Sequence, residues 1–117
     1  MNLGILREDD FLRKGDLLGK PRFSYNMDKV TKEKIEKYYG LTSRALEIAK
    51  KSIAKNKEKQ AKEIILMVEC YLSDSKHFQK KGDFVNSFAC LNYAHGWLDC
   101  GARLKIFNVK DDKLFTV

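Results

Sequence analysis

From position 30 onward the apolar residues of this chain recur every three to four positions, in three stretches separated by turn signals. Val30, Ile35, Tyr38, Tyr39, Ala45, Leu46, Ala49 and Ile53 form the first stripe. That recurrence predicts a helix opening at Asp28 or Thr31 as N-cap and running to about residue 55. Asn56 closes it, since asparagine tolerates the left-handed backbone that ends helices. Gly40 sits inside the stripe, where glycine costs about 1 kcal/mol relative to alanine, and marks a bend or a close approach by another segment.

The second stripe, from about residue 57 to 81, places Ile64, Val68, Tyr71, Ser75 and Phe78 on one face, widened by Ala61, Ile65 and Leu72. Gly82 supplies its stop and Asp83 the next N-cap. A connection this short forces the flanking helices to lie antiparallel. The third helix, from Phe84 to about residue 104, carries an inward row of Phe84, Phe88, Leu91, His95, Leu98 and Ala102. Its alternating spacings of four and three are those of knobs-into-holes packing. Counting away from Gly82 in both directions pairs Phe78 with Ser87, Asp74 with Cys90, Tyr71 with Tyr93, Met67 with Trp97 and Ile64 with Gly101. Gly96 and Gly101 are costly inside a helix, so a neighbouring backbone is expected close to both.

The ends read differently. Gly4, Gly15, Gly19 and Pro21 interrupt residues 1–26, leaving room for one short amphipathic turn around Phe11, Leu12, Leu17 and Leu18. With Met27 opening the helical part, residues 1–26 read as a weakly structured extension, or as a product of start-site assignment. Residues 105–117 read as a short tail whose apolar residues, Ile106, Phe107, Val109, Leu114, Phe115 and Val117, lie on the bundle, extended rather than helical. The expected fold is all-α: an up-and-down three-helix bundle over residues 27–104, with an N-terminal extension and a short apolar C-terminal tail.

Composition narrows the function classes. At 117 residues one domain is expected. The longest aliphatic run, Ile64-Ile65-Leu66-Met67-Val68, is far short of the roughly 20 residues of a membrane span. No membrane partner is expected. The first ten residues have neither a basic leader nor a long apolar run, so no secretory signal is expected and the cytoplasm is the expected compartment. Cys70, Cys90 and Cys100 are odd in number and hold no C-x-x-C pair, and they read as small buried hydrophobes. The net charge of +7 is concentrated mid-chain, where Lys50, Lys51, Lys55, Lys57, Lys59 and Lys62 cluster around a lone Glu58. A solvated lysine-rich surface is the plain reading of that zone, and a nucleic-acid site the alternative. The stretch lacks the aromatics on which bases stack.

Several of these positions together resemble a known family. Tyr71-x-x-Asp74-Ser75, Phe78, Gly82-Asp83, Tyr93-Ala94-His95-Gly96-Trp97-Leu98-Asp99-Cys100-Gly101 and Arg103-Leu104 are similar to an archaeal family catalogued as domain of unknown function 357. The resemblance spans roughly residues 28–104. It departs from the family pattern at Cys100, where alanine is usual, and at the N-terminal extension. It implies a small up-and-down three-helix bundle in an archaeal cytoplasm and no particular reaction.

His95, Asp99 and Arg103 follow one another at i, i+4 spacing, so a ladder from imidazole to carboxylate to guanidinium fits one helical face. Such a dyad orients a general base. No nucleophile or glycine-rich loop accompanies it, and His95 lies on the inward row, which favours a hydrogen-bonded structural histidine. If the cluster of Tyr71, Asp74, Tyr93, His95, Asp99 and Arg103 opens into a pocket, it is the best candidate ligand site. Asp74 and His77 have the i, i+3 spacing of carboxylate-bridged metal bundles, but one copy falls short of a ligand set, so no metal and no cofactor is expected. The reading that remains is a small non-enzymatic module for protein interaction or self-association, resting on a surplus of large apolar side chains such as Trp97. The alternatives are a nucleic-acid-binding accessory protein using the lysine zone, and a small-molecule or metal site around Asp74, His95 and Asp99.

Overall fold

The computed structural model describes residues 29–116 and shows three helices, α1 (Lys32–Lys50), α2 (Glu58–Lys80) and α3 (Phe84–Arg103). The expected all-α bundle is what forms. The N-terminal extension and Asp28 lie outside the described residues. α2 and α3 pair most extensively, and α1 packs more on α3 than on α2.

The helix ends follow local chemistry. Thr31 caps α1, its hydroxyl accepting from the Lys34 N–H at 3.1 Å. Between α2 and α3, Gly82 takes φ +76, its N–H donates to the Gln79 carbonyl, and the Asp83 N–H donates to the Phe78 carbonyl. These two bonds form a Schellman closure. Asp83 then caps α3, accepting from the Asn86 N–H at 3.1 Å. α3 closes by the same motif, Lys105 N–H to Ala102 and Ile106 N–H to Gly101, but here a lysine occupies the left-handed position at φ 61.

α1 ends about five residues before the expected helix end and three before Ile53, the last residue of the apolar stripe. The Ser52 hydroxyl donates to the Ile48 carbonyl at 2.8 Å, and Ile53 turns away to form an antiparallel bridge with Phe107. The bonds Ala54 N–H to Ile106 and Asn108 N–H to Ser52 flank that bridge. Asn56 is left-handed, at φ 67, but it shapes the connector to α2 rather than the end of α1.

The hairpin register follows the count from Gly82. Tyr71 and Tyr93 are in ring contact, and the Ile64 Cδ1 lies 3.2 Å from where a Cβ on Gly101 would stand. Near the turn, Ser75 and Ser87, both fully buried, exchange hydroxyl-to-carbonyl bonds at 3.0 and 2.8 Å. Small polar side chains whose hydrogen bonds are all met let the two backbones approach there.

Glycine tells two stories. At Gly101 an added Cβ would meet the Phe107 ring at 2.5 Å, so the close neighbour is a buried aromatic side chain rather than a backbone. At Gly40 and Gly96 nothing lies within 4 Å of an added Cβ, which removes close approach as the reason for either. The core draws on all three helices, with Ile35, Val68, Leu91 and Leu98 fully buried, and on the C-terminal segment, where Phe107 and Phe115 are fully buried and Ile106 and Leu114 nearly so. The cysteines correct a sequence expectation: Cys70 and Cys100 are exposed and Cys90 is half-buried, all three as free thiols. They lie off the inward rows of α2 and α3, and only Cys90 is partly covered, by neighbouring side chains of the hairpin.

A closed flank and an open flank of helix α3

The residues grouped by sequence as one polar cluster divide between two sides of α3. His95 is 2% exposed. Its Nε2 donates to the Leu114 carbonyl at 2.6 Å. A carbonyl only accepts, so in the neutral ring the proton is on Nε2 and Nδ1 accepts from the Thr42 hydroxyl at 3.0 Å. Asp99 stands 3.8 Å from the same Nε2, and its carboxylate accepts from the Thr116 N–H at 2.8 Å. Histidine and aspartate thus tie the C-terminal segment and α1 to α3, with both ring nitrogens occupied and the ring shut from water. Arg103 does not continue the ladder. It is exposed at the end of α3 and forms no ion pair among the described residues.

Tyr71, Asp74 and Tyr93 lie on the other side. Residues two apart on a helix are about 200° apart around its axis, so Tyr93 and His95 cannot line one pocket. The Tyr93 ring meets Tyr71 edge-on at 4.6 Å and Trp97 at 6.2 Å between centroids. With Phe78, Asn86, Ala89 and Cys90 the two tyrosines line an open groove of about 300 Å³. Burial pushes the Cys90 thiol above its ordinary pKa, helped by the nearby carboxylates of Asp74 and Asp83.

This groove belongs to a longer surface. Asn86, Cys90, Tyr93, Trp97, Cys100 and Leu104 recur along α3 at spacings of four and three, a second row parallel to the inward one. Of the twenty residues of α3 only Asp99 and Arg103 are charged. A helix apolar on every side is normally covered on every side. Here α2 and α1 with the C-terminal segment cover two flanks, while Tyr93 stays 52% exposed and Leu104 63% exposed on the third.

The remaining candidates stay apart. Asp74 and His77 are both exposed, and no group of three or more His, Cys, Asp or Glu side chains gathers among the described residues. In the lysine zone, Lys50 is engaged by Glu69 at 3.0 Å and by Glu47 at 3.7 Å. The Glu69 carboxylate, as hydrogen-bond acceptor, raises the Lys50 pKa above its ordinary value. Lys51, Lys55, Lys57, Lys59 and Lys62 are exposed, spread over the α1–α2 connector and the first turns of α2. No helix among the described residues is long and apolar enough to cross a membrane.

Comparison with known families matches residues 37–107 to DUF357, described as a protein of unknown function. The chain belongs to the DUF357 family. The match takes in most of α1, both helices of the hairpin and the Phe107 ring seated on Gly101. It begins nine residues later than the resemblance read from sequence, and it stops short of Leu114 and Thr116, which cover His95 and Asp99 in this DUF357 protein. No curated protein and no solved structure matches the chain.

Proposed function

We propose that this protein is a non-enzymatic interaction module whose working surface is the outer face of the α2–α3 hairpin, centred on Tyr93. One observation carries the reading: α3 keeps an uncharged, mostly apolar row from Asn86 to Leu104 on its third flank, where Tyr93 and Leu104 stay exposed among the described residues. Contiguous apolar surface of this kind marks a contact site more often than an idle one. The aromatic residues along it, Tyr71, Tyr93 and Trp97, are the types enriched at binding hot spots. The alternative of a ligand site around Asp74, His95 and Asp99 finds less support, because His95 and Asp99 are bonded to the C-terminal segment while Asp74 lies on α2 away from them. The nucleic-acid alternative rests on five exposed lysines without aromatic company. Free thiols at all three cysteines support the cytoplasm as the setting.

The test is a thiol footprint. A variant retaining only Cys100 is added to a native extract of the source cells, and alkylation of Cys100 is timed against the same protein alone at high dilution. Slower labelling in the extract supports the reading. Equal rates overturn it.

A further inference from the structure

Resting on that reading of the face, we infer that access to it is regulated from within the chain: residues 11–22 of the N-terminal segment occupy the groove beside Tyr93, and a partner gains the face by displacing them.

The path of α1 brings that segment to the right end of the molecule. The Tyr38 ring meets Phe88 at 5.5 Å between centroids, Thr42 bonds His95, and Ile53 bridges to Phe107, so α1 runs beside α3 in the same direction. Its first turn therefore stands at the Gly82 end of the hairpin, where the Lys34 ammonium lies 5.9 Å from the centre of the Phe88 ring. The groove opens at that same end, with Phe78, Asn86, Ala89 and Cys90 all within eight residues of Gly82. It faces away from α1, because Asn86 and Tyr93 are each two residues from Phe88 and His95 and so project to the opposite side of α3.

The chain is long enough to make the crossing. Twenty-eight residues precede Lys29. A helix is about 10 Å thick, and rounding the end of the hairpin takes about 20 Å of chain, or about six residues at roughly 3.3 Å each. Residues 23–28 suffice for that, and residues 11–22 then arrive at a groove about 10 Å long, the rise from Asn86 to Tyr93.

Composition matches the segment to the site. Phe11, Leu12, Leu17 and Leu18 supply apolar side chains, and Arg13, Lys14, Lys20 and Arg22 stand among them against the single acid Asp16. The groove carries the opposite sign. Asp74 and Asp83 border it, close enough to act on the Cys90 thiol. Asp74 has no cation partner among the described residues. A second copy would bring a further Asp74 to this face, whereas residues 11–22 bring cations. Attachment favours this segment over a free basic peptide, because a short tether holds its end at about millimolar effective concentration, which a separate occupant has to outcompete.

Alkylation of Cys90, which lines the groove, tests the inference in the full chain carrying Cys70→Ser and Cys100→Ser. In the isolated protein, Leu17→Asp with Leu18→Asp is expected to speed labelling about tenfold or more, by removing two apolar anchors. Arg13→Glu with Lys14→Glu is expected to speed it about threefold, the scale of exposed ion pairs. The exchanged positions lie outside residues 29–116, and unchanged circular dichroism confirms the fold of the three helices. Indifference of Cys90 to either exchange overturns the inference. So does protection that fades on dilution, which assigns the cover to another molecule. The Cys100 footprint in extract judges the face separately. Slower Cys100 labelling in extract, slowed further by Leu17→Asp with Leu18→Asp, supports displacement by a partner. Slower labelling that the exchange leaves unchanged overturns the displacement while the face reading stands. Equal Cys100 rates in extract and alone, with or without the exchange, remove the face reading and the displacement with it.

Discussion

The two flanks of α3 are built from similar rows and end in opposite states. The inward row of Leu91, His95, Leu98 and Ala102 is sealed by α1 and by the segment carrying Leu114 and Phe115. The outer row of Cys90, Tyr93, Trp97 and Cys100 repeats the same spacing but is only partly covered, Cys90 and Trp97 half-buried and Tyr93 and Cys100 exposed. The histidine, the residue that most invites a catalytic reading, is on the sealed side. There it acts as a fastener, because a buried ring that donates to a main-chain carbonyl and accepts from a hydroxyl has no further capacity. The open side holds neutral aromatic and small side chains, which suit contact rather than proton transfer.

The contrast breaks most sharply at Phe107. Phe107→Ala empties the seat on Gly101 and should cost about 3–5 kcal/mol in urea unfolding. Next is His95→Leu, which fills similar space but leaves the Leu114 carbonyl without its donor and the Thr42 hydroxyl without its acceptor. A loss of about 2–3 kcal/mol is expected, with faster amide exchange from residue 111 onward while α2 stays protected. Lys105→Gly should stabilise by about 1 kcal/mol, because glycine carries no penalty in the left-handed closing position of α3. On the outer flank Tyr93→Ser should cost only about 1 kcal/mol, through the lost ring contacts with Tyr71 and Trp97, while removing the protection of Cys100 in extract. The smallest signal is kinetic. With its thiol pKa raised by burial and by Asp74 and Asp83, Cys90 holds less thiolate near neutral pH than a free cysteine does. In a variant retaining only Cys90, alkylation should therefore rise at higher pH than that of a cysteine peptide; a coincident profile would count against a half-buried thiol flanked by Asp74 and Asp83.

Much of the scaffold is legible in the sequence. Thr31, Gly82 and Asp83 mark helix ends through interactions spanning three to five residues, and these turned out as read. The near-loopless turn at Gly82 set the hairpin register, so Tyr71 against Tyr93 and Ile64 against Gly101 were obtained by counting. The end of α1 was misread because Ile53 keeps the helical period but is claimed by Phe107, 54 positions away. The polar cluster was grouped by proximity in sequence, although the 3.6-residue turn already separates Tyr93 from His95. Thr42 was missed for a related reason: a polar residue standing in the inward row between Tyr38 and Ala45 was the available sign that a buried partner faced it.

What the sequence determined by itself is therefore whatever depends on near neighbours: the helical period, the caps, the Schellman closure at Gly82 and the antiparallel hairpin. Tertiary structure decided what depends on which surface meets which. It placed the C-terminal segment over His95 and Asp99, seated Phe107 on Gly101, and left the Tyr93 row open. Periodicity states that a row is apolar, but two equivalent rows on one helix compete for the same covering segments. Only the path of the chain in space determines which row is covered.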